Sequence, residues 1–288
     1  MGISTDVITG VNACVSGVPT MGFVEIERTI DSTAIADSAG KGGMDRVPGN
    51  VDFTGKIFAY GYKPPSGTFP NKTFTLDFTQ DSTDVTAVAG VIAADVRCIG
   101  LEIMVPAHDK TGKNAIFYII HFGANGTDLS YGSATSANTV PTKYPSKNMA
   151  TYLDTVRQTY CQWAHLMISA EVEPKVNSDS NGVYFRPAGQ IDWKYTYNRE
   201  VKTMSLLPAL NTIHPIRMQT GAGGTSGGGT VGYWALNYGM VTGYKAKIDH
   251  ASRLPISYDV ELEKCSLLTD VGSITDPDGA QMWPVYAG

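Results

Sequence analysis

The chain has 288 residues, of which 42% are hydrophobic, enough for a substantial core, and 17% are charged, below the roughly 25% of an average soluble protein. A surface with few long charged side chains favours burial against another subunit, because little side-chain freedom is lost there. The formal net charge of −5 and the lack of Lys/Arg runs exclude the basic surface that tight nucleic-acid binding requires.

The amino terminus and the apolar stretches bear on location. The segment MGISTDVITG lacks the basic and apolar regions of a signal peptide, so we do not expect export by that route. The longest apolar stretches, such as Ile116–Ile120, fall far short of the roughly 20 residues that span a bilayer. The sequence therefore predicts no membrane partner.

Strand patterns dominate the first half of the chain. Apolar and polar residues alternate over Asn50–Tyr62 and over Lys72–Phe78, and β-branched and aromatic residues at this period mark half-buried strands. Leu101–Val105 and Ala115–Phe122 flank a D-K-T-G turn sequence, which predicts a β-hairpin.

Helix signals are scarce and lie around the middle of the chain. Asp84–Val96 is predicted to form a short helix, and Met149–His165 has apolar residues at helical spacing. Gly123–Lys147, rich in Ser, Thr, Asn, Gly and Pro, is the predicted linker between the two halves.

The second half returns to strand patterns. Gln190–Tyr197 and Trp234–Tyr238 alternate, and Val241–Ile248 with Ile256–Leu262 predicts a second hairpin. The Gly-rich segment Gly221–Thr230 resembles a phosphate-binding loop. It lacks the Gly-Lys-Ser/Thr ending and precedes a strand pattern, so we interpret it as a hairpin loop.

The two halves share one sequence plan. RVPGNVDF begins at Arg46 and RPAGQIDW begins at Arg186, an offset of 140 residues (186 − 46). The same offset aligns AIFYIIHF with PISYDVEL, placing Tyr118 on Tyr258, and it recurs in two further segments. A recurring offset of this kind predicts a mainly β chain of two tandem modules, residues 1–146 and 147–288.

Each predicted module has one long segment without an apolar period. These segments are Asp31–Gly49 and Glu171–Gly189, again at the offset of 140 residues (171 − 31). Ordered loops of this length are uncommon unless they have a function, so each segment is interpreted either as a mobile exposed tip or as an arm that becomes ordered against a neighbouring subunit. The candidate inter-subunit residues are Asp31, Lys41, Asp45, Arg46, Glu171, Lys175, Asp179 and Arg186.

Signatures of catalysis and of metal binding are missing from the sequence. The four cysteines lie far apart, and the five histidines form no HxH or HExxH spacing, so no metal or cofactor is predicted. No GxSxG motif is present, and paired carboxylates such as Asp77 and Asp81 are equally typical of the solvent face of a strand. We therefore predict no catalytic residue and no enzyme.

The chain resembles the tail tube (major tail) proteins of long-tailed bacteriophages. The resemblance rests on β modules of this size, an extended loop between early strands, a flanking helix and a terminal hairpin that ends in Y-x-V-x-L, here Tyr258 to Leu262. It covers most of both predicted modules and implies β-sandwich or barrel modules of the tail tube type, each with a long loop and a short flanking helix.

The resemblance also implies a function and partners. Tail tube modules form six-fold rings that stack into a hollow tube for DNA, and most members have one module per chain. Two modules per chain imply homotrimeric rings of pseudo-six-fold symmetry in the virion tail, assembled in the host cytoplasm. The implied further partners are tape measure, terminator and baseplate or tip proteins, with DNA passing transiently.

Two alternatives remain open at this point. A capsid decoration protein, or another β-protein of a virion, would share the duplication and the low charge. A carbohydrate-binding β-sandwich would use aromatic side chains to stack on sugars, and the candidates are Trp163, Trp193, Trp234 and Trp283.

Overall fold

A computed structural model describes the backbone of most of the chain. The described residues are 12–15, 18–19, 22–36, 44–65, 67–79, 91–106, 116–132, 149–201, 203–222, 231–248, 256–265 and 274–275. The strands are β1 (Asn12–Val15), β2 (Val18–Pro19), β3 (Gly22–Ala36), β4 (Met44–Tyr60), β5 (Thr73–Thr79), β6 (Val91–Pro106), β7 (Phe117–Ala124), β8 (Ser130–Gly132), β9 (Ala150–Leu153), β10 (Val156–Gln158), β11 (Cys161–Glu171), β12 (Gln190–Glu200), β13 (Ile213–Ala222), β14 (Val231–Lys247), β15 (Ser257–Lys264) and β16 (Ile274–Thr275). The mainly β fold predicted from the sequence is confirmed.

Alternation along the strands places one face of the sheet in the core. In β7 the buried residues include Tyr118, Ile120 and Phe122, and in β15 they include Val260 and Leu262. Successive side chains of a strand point to opposite faces, so one face packs while the other stays at least partly exposed. A single hydrophobic cluster contains buried residues from both halves of the chain.

All strands belong to one antiparallel sheet with a branched order. One continuous path runs β10-β9-β13-β14-β15-β12-β11-β6-β5-β1-β2. Away from this path, β3 pairs with β4, β4 pairs with β7, and β7 pairs with β6, while β8 and β16 add to β6 and β14. The two halves are therefore joined by the pairing of β6 with β11.

The strand order of the first half recurs in the second half. The first half reads β2-β1-β5-β6-β7-β4-β3, and the second reads β10-β9-β13-β14-β15-β12-β11. Each strand from β9 to β15 thus has a counterpart eight strands earlier, for example β11 and β3.

The residue registers of the two halves also correspond. Glu25 lies opposite Lys56 in β3–β4, and His165 lies opposite Thr196 in β11–β12, an offset of 140 on both strands (165 − 25 and 196 − 56). The β4–β7 and β12–β15 registers keep the same offset. For β6 and β14 the offset is 143, because Gly100 lies opposite residue 121 and Gly243 lies opposite residue 261 (243 − 100 and 261 − 121).

Both predicted hairpins are confirmed. The β6–β7 pair places Ile103 opposite Tyr118, and the β14–β15 pair places Val241 opposite Leu262. The connections within both hairpins lie outside the described residues, as do residues 133–147 of the predicted linker and residues 223–230 of the Gly-rich segment. The linker prediction is wrong at its start, because residues 123–124 end β7 and Ser130–Gly132 form β8.

The helix predictions are wrong where the structure describes the chain. It contains no α-helix in the described ranges, only two short 3-10 turns at Ser178–Ser180 and Met204–Leu206. The segment 149–165 forms β9, β10 and the start of β11, because the alternating burial of Ala164, Leu166 and Ile168 outweighs the helical spacing before it. Of the second predicted helix, residues 91–96 belong to β6, and the rest lies outside the described residues. No described helix has the length and apolarity needed to span a membrane.

Candidate assembly surface

The two halves meet where β11 adds to β6. The pairing runs from Trp163 opposite Pro106 to Ser169 opposite Gly100. Because β5 pairs only with residues 92–97 of β6, the remaining length of that edge is available to β11. A strand that adds to a sheet edge satisfies the backbone groups of both edges.

A carboxylate between two histidines lies across this junction. Glu102 of β6 lies 2.7 Å from His121 Nε2 on β7 through Oε1 and 3.2 Å from His165 Nε2 on β11 through Oε2. The hydrogen bonds to His121 and then to His165 lower the pKa of Glu102 to about 2, against the opposing effect of burial. The group therefore connects three strands from both halves.

The counterparts of these two joined edges have no strand partner among the residues described. The outer edge of β3 is unpaired, because β3 pairs only with β4. Residues 243–247 of β14 pair on one side only, with β15. The first half thus ends in one open edge, and the second half carries another.

The segment of residues 171–189, here called the second arm, folds back onto the first half. The backbone of Val51 accepts a hydrogen bond from Tyr184 N at 2.9 Å and donates one to Gly182 O at 2.8 Å. The Tyr184 hydroxyl donates to Asp31 Oδ2 at 2.7 Å. Lys175 and Phe185 pair across the arm itself.

Arg186 anchors the second arm through a buried ion pair. Its Nη1 and Nη2 atoms donate to the two carboxylate oxygens of Asp52 at 2.8 and 2.7 Å, and Nη1 also donates to Ala124 O at 3.3 Å. The Arg186 side chain is 6% exposed. Gly123 leaves room for it, since a Cβ there would lie 2.6 Å from Arg186 Cζ.

The end of the second arm is held by a side-chain amide. Asn71 Nδ2 donates to Gly189 O at 2.7 Å, and Gly189 N donates to Asn71 Oδ1 at 2.9 Å. Asn71 has a φ of 75°, a left-handed conformation that asparagine tolerates better than most residues. This reciprocal pair fixes the point where the second arm enters β12.

The first predicted loop is mostly the end of a long hairpin. Residues 31–36 belong to β3 and residues 44–49 to β4, with Ile35 opposite Asp45, and only 37–43 lie outside the described residues. These strand ends are exposed on both faces, which is why the sequence shows no apolar period there. We call residues 31–49 the first arm.

The structure places the candidate inter-subunit residues at different parts of the two arms. Asp31 and Arg186 both take part in the contact between the second arm and the first half. Asp31 accepts a hydrogen bond from Tyr184, and Arg186 binds Asp52. On the exposed first arm, Asp45 lies in β4, and Arg46 Nη1 donates to Ser32 Oγ at 3.1 Å. The other described candidates are exposed on the second arm: Glu171, Lys175 and Asp179. Lys41 lies outside the described residues.

A cleft of about 540 Å³ opens beside β12. Glu171, Gln190, Asp192 and Lys264 are among its lining residues. Lys264 Nζ donates to Ile191 O at 2.7 Å, and burial lowers the pKa of Lys264 while the charge of Asp192 opposes that shift.

Sequence reasoning missed the partners of the arms. The aspartates of the repeated R-x-x-G-x-x-D pattern are Asp52 and Asp192, so the pattern contained the acid that binds Arg186. The pairing of Arg186 with Asp52 was not inferred, because the two residues belong to different copies of the pattern and lie 134 residues apart in sequence. The counterpart asparagines 71 and 211 carried the same signal.

Two tryptophans proposed as sugar platforms are core residues. Trp193 is 2% exposed and Trp234 is fully buried, so neither ring presents a face to a ligand. Trp163 is half-buried on β11, and Trp283 lies outside the described residues. In the described ranges there is no group of three or more His, Cys, Asp or Glu side chains that could hold a metal ion.

Comparison with protein-family models finds none that matches, and comparison with curated protein sequences finds none either.

Proposed function

We propose that this protein is a structural protein that assembles head to tail into rings, which stack into the hollow tail tube of a bacteriophage. In this proposal the chain consists of two tandem tail-tube-type β modules, residues 1–146 and 147–288. DNA passes through the lumen, and the tube contacts tape measure, terminator and baseplate or tip proteins in the virion.

The repeated strand order supports the two-module organisation. Seven strands recur in the same spatial order, and three pairs of neighbouring strands keep one residue register, β3–β4, β4–β7 and β6–β7 with their counterparts. Unrelated β folds of similar length share no such residue register, because register depends on each strand's own pattern.

The observation that carries the proposal is the open counterpart of the β6–β11 junction. The junction joins the edge strand of one module to an inner strand of the other. Its counterpart would join β3 of one chain to residues 243–248 of the next, the end of β14 and the residue that follows it. Such a contact is heterologous, and heterologous contacts close into rings when the rotation between copies permits it.

The register of the internal junction predicts the register between chains. Met167 lies opposite Glu102 in the internal junction, and its counterpart contact places Glu27 (167 − 140) opposite Lys245 (102 + 143). By the same rule Glu25 lies opposite Lys247. All four charged side chains are exposed in the single chain.

The opposite face of the same contact is apolar on both sides. The predicted register puts Val24 opposite Ile248 and Ile26 opposite Ala246. Ile248 is 56% exposed in the single chain, while Val24 and Ile26 pack at the border of the core. A slip of one residue would set glutamates against apolar side chains, so the sequence favours this one register.

Three chains would supply six modules and close a ring of pseudo-six-fold symmetry. The net charge of −5 per chain suits a tube that conducts DNA, because acidic walls repel phosphate and keep the polymer from binding.

The test is the assembly state of the purified chain and of a charge-reversed pair. We expect sedimentation velocity to detect closed oligomers of the wild type and negative-stain microscopy to detect rings or tubes with a central hole. Glu27→Lys should raise the concentration needed for assembly about tenfold, because it sets two lysines opposite each other. Adding Lys245→Glu to the same chain should restore assembly.

Glu173→Lys is the matched control, since Glu173 is exposed on the second arm and takes no part in the predicted strand contact. A wild type that stays a single chain at high concentration would refute the proposal. Compact trimers without a hole would favour a capsid decoration protein instead.

A further inference from the structure

The second arm sits on a set of first-half residues whose counterparts line the open cleft. Contacts to the second arm involve Asp31, Val51, Asp52 and Ala124. At the offset of 140 their counterparts are Glu171, Ile191, Asp192 and Lys264, and all four line the cleft beside β12. The cleft is therefore the counterpart of a site that is filled in the first half.

The asparagine that holds the end of the arm also has a counterpart in the same local structure. Asn71 N donates to Cys98 O, and Asn211 N donates to Val241 O, both at 2.9 Å. Both asparagines have left-handed backbone conformations, with φ values of 75° and 60°. Among the described residues, Asn211 makes no recorded side-chain hydrogen bond, whereas Asn71 binds Gly189.

The first arm contains the counterparts of the residues that fill the equivalent site in the first half. Arg46 and Gly49 are the counterparts of Arg186 and Gly189 (186 − 46 and 189 − 49 give 140). Arg46 is exposed and bonds only to Ser32 among the described residues. The same arm exposes 72% of Met44 and 48% of Val47, which is a large apolar exposure for a strand end.

We propose that the cleft beside Asp192 is the docking site for residues 44–49 of a second copy of this chain, with the Arg46 guanidinium bound to the Asp192 carboxylate and the Gly49 backbone bound to the Asn211 side chain. This rests on the head-to-tail assembly proposed above, and it names a second contact between neighbouring chains. The occupant is a second copy because the filled site is made by the equivalent segment of this same chain.

The site between chains differs most from the internal one at two positions. Glu263 replaces Gly123, whose missing Cβ makes room for Arg186, so Arg46 lies farther from the sheet than Arg186 does. Lys264 replaces Ala124 and lies beside Asp192. Glu171, Asp192 and Lys264 line the cleft and together carry one negative charge, which the Arg46 guanidinium of the docking copy balances.

A charge exchange between Arg46 and Asp192 tests the contact. Both residues are exposed in the single chain, so Arg46→Asp and Asp192→Arg should leave the fold intact, which circular dichroism checks. Each single variant should raise the concentration for half-maximal assembly about tenfold, because it sets like charges together. The double variant should return to within about threefold of the wild type. Arg157→Asp, an exposed arginine on β10, is the matched control and should assemble as the wild type does.

The outcomes separate this contact from the proposed tube. If the wild type forms rings and both single variants form them equally well, the arm contact is wrong and the strand contact stands. A double variant as weak as the two single variants combined also overturns the arm contact. If the wild type forms only a compact dimer that the exchange breaks and restores, the arm contact stands and the tube is wrong. A wild type that remains a single chain overturns both.

Discussion

Glu102 makes side-chain contacts to both strands that flank β6. Its two carboxylate oxygens bind His121 and His165, which lie on the strands on either side of β6. An amide at this position could accept from one histidine only through its single oxygen, and it would carry no charge. The ionised carboxylate therefore links side chains of all three strands, in addition to their backbone pairing.

We expect Glu102→Gln to lower the free energy of unfolding near neutral pH by about 1 kcal/mol, a value reduced for solvent screening of a half-exposed group. The pKa of Glu102 is lowered from 4.5 to about 2 in the folded chain. A lowered pKa contributes stability that is present above pH 4.5 and is lost as pH falls towards 2. The difference between wild type and variant in urea unfolding should therefore shrink across that range. A difference that stays constant down to pH 2 would contradict the role of the charge.

The Glu102 cluster could not be predicted from the sequence. His121 and His165 are far apart in the chain and match no ligand spacing, so sequence reasoning leaves them scattered. Their meeting depends on β11 adding to β6, and strand pairing between distant segments has no local signal. The proposed pairing of Glu25 with Lys247 could not be predicted from the sequence either, because it depends on the register of the β3–β14 contact.

At the scale of the strands, charge placement discriminates between the two kinds of junction. If β3 of another copy added to β6 in place of β11, Glu27 would lie opposite Glu102, and two carboxylates would repel each other. In the proposed contact with β14 the same glutamate would lie opposite Lys245. The charges would therefore favour one order, in which β11 stays on its own chain's β6 and β3 joins the next chain's β14.

Most strands were predicted correctly from the sequence, but the predicted helices are absent from the described residues. Period-2 alternation identified β7, β12 and β15, where one face is buried and the other is not. It failed at the arm ends of β3 and β4, where neither face is buried and hydrogen bonding alone sustains the strands. In residues 149–165, Val156 and Tyr160 have helical spacing in the sequence, but both side chains are exposed and form no helical face.

Gly123→Ala should release the second arm from the first half. The added Cβ would lie 2.6 Å from Arg186 Cζ, so the guanidinium must move away from Asp52. Overpacking of this kind costs about 1–3 kcal/mol, which thermal unfolding measures. Trypsin should also cut at Lys175 faster, because the arm that carries it is held less firmly.

Gly67→Ala is the control for that substitution, since a Cβ at Gly67 meets no atom within 4 Å. If Gly123→Ala leaves both the unfolding temperature and the rate of cleavage at Lys175 unchanged, Arg186 is not the anchor of the arm.

At the scale of the whole molecule, mixing two charge variants tests whether a ring contains an odd or an even number of chains. One variant, Glu25→Lys with Glu27→Lys, makes the β3 edge basic and keeps the basic β14 edge. The other, Lys245→Glu with Lys247→Glu, makes the β14 edge acidic and keeps the acidic β3 edge. Neither variant can pair with itself, because each opposes like charges at every contact.

Mixed in equal amounts, the two variants pair only in alternation, since each matched contact joins one variant to the other. Alternation closes rings with an even number of chains, and three is odd. We therefore expect native mass spectrometry to find open chains or even-numbered rings in the mixture, and three-chain rings when all four substitutions are in one chain. Three-chain rings in the mixture would mean that these edges do not meet, because at least one contact in each such ring would join two copies of the same variant.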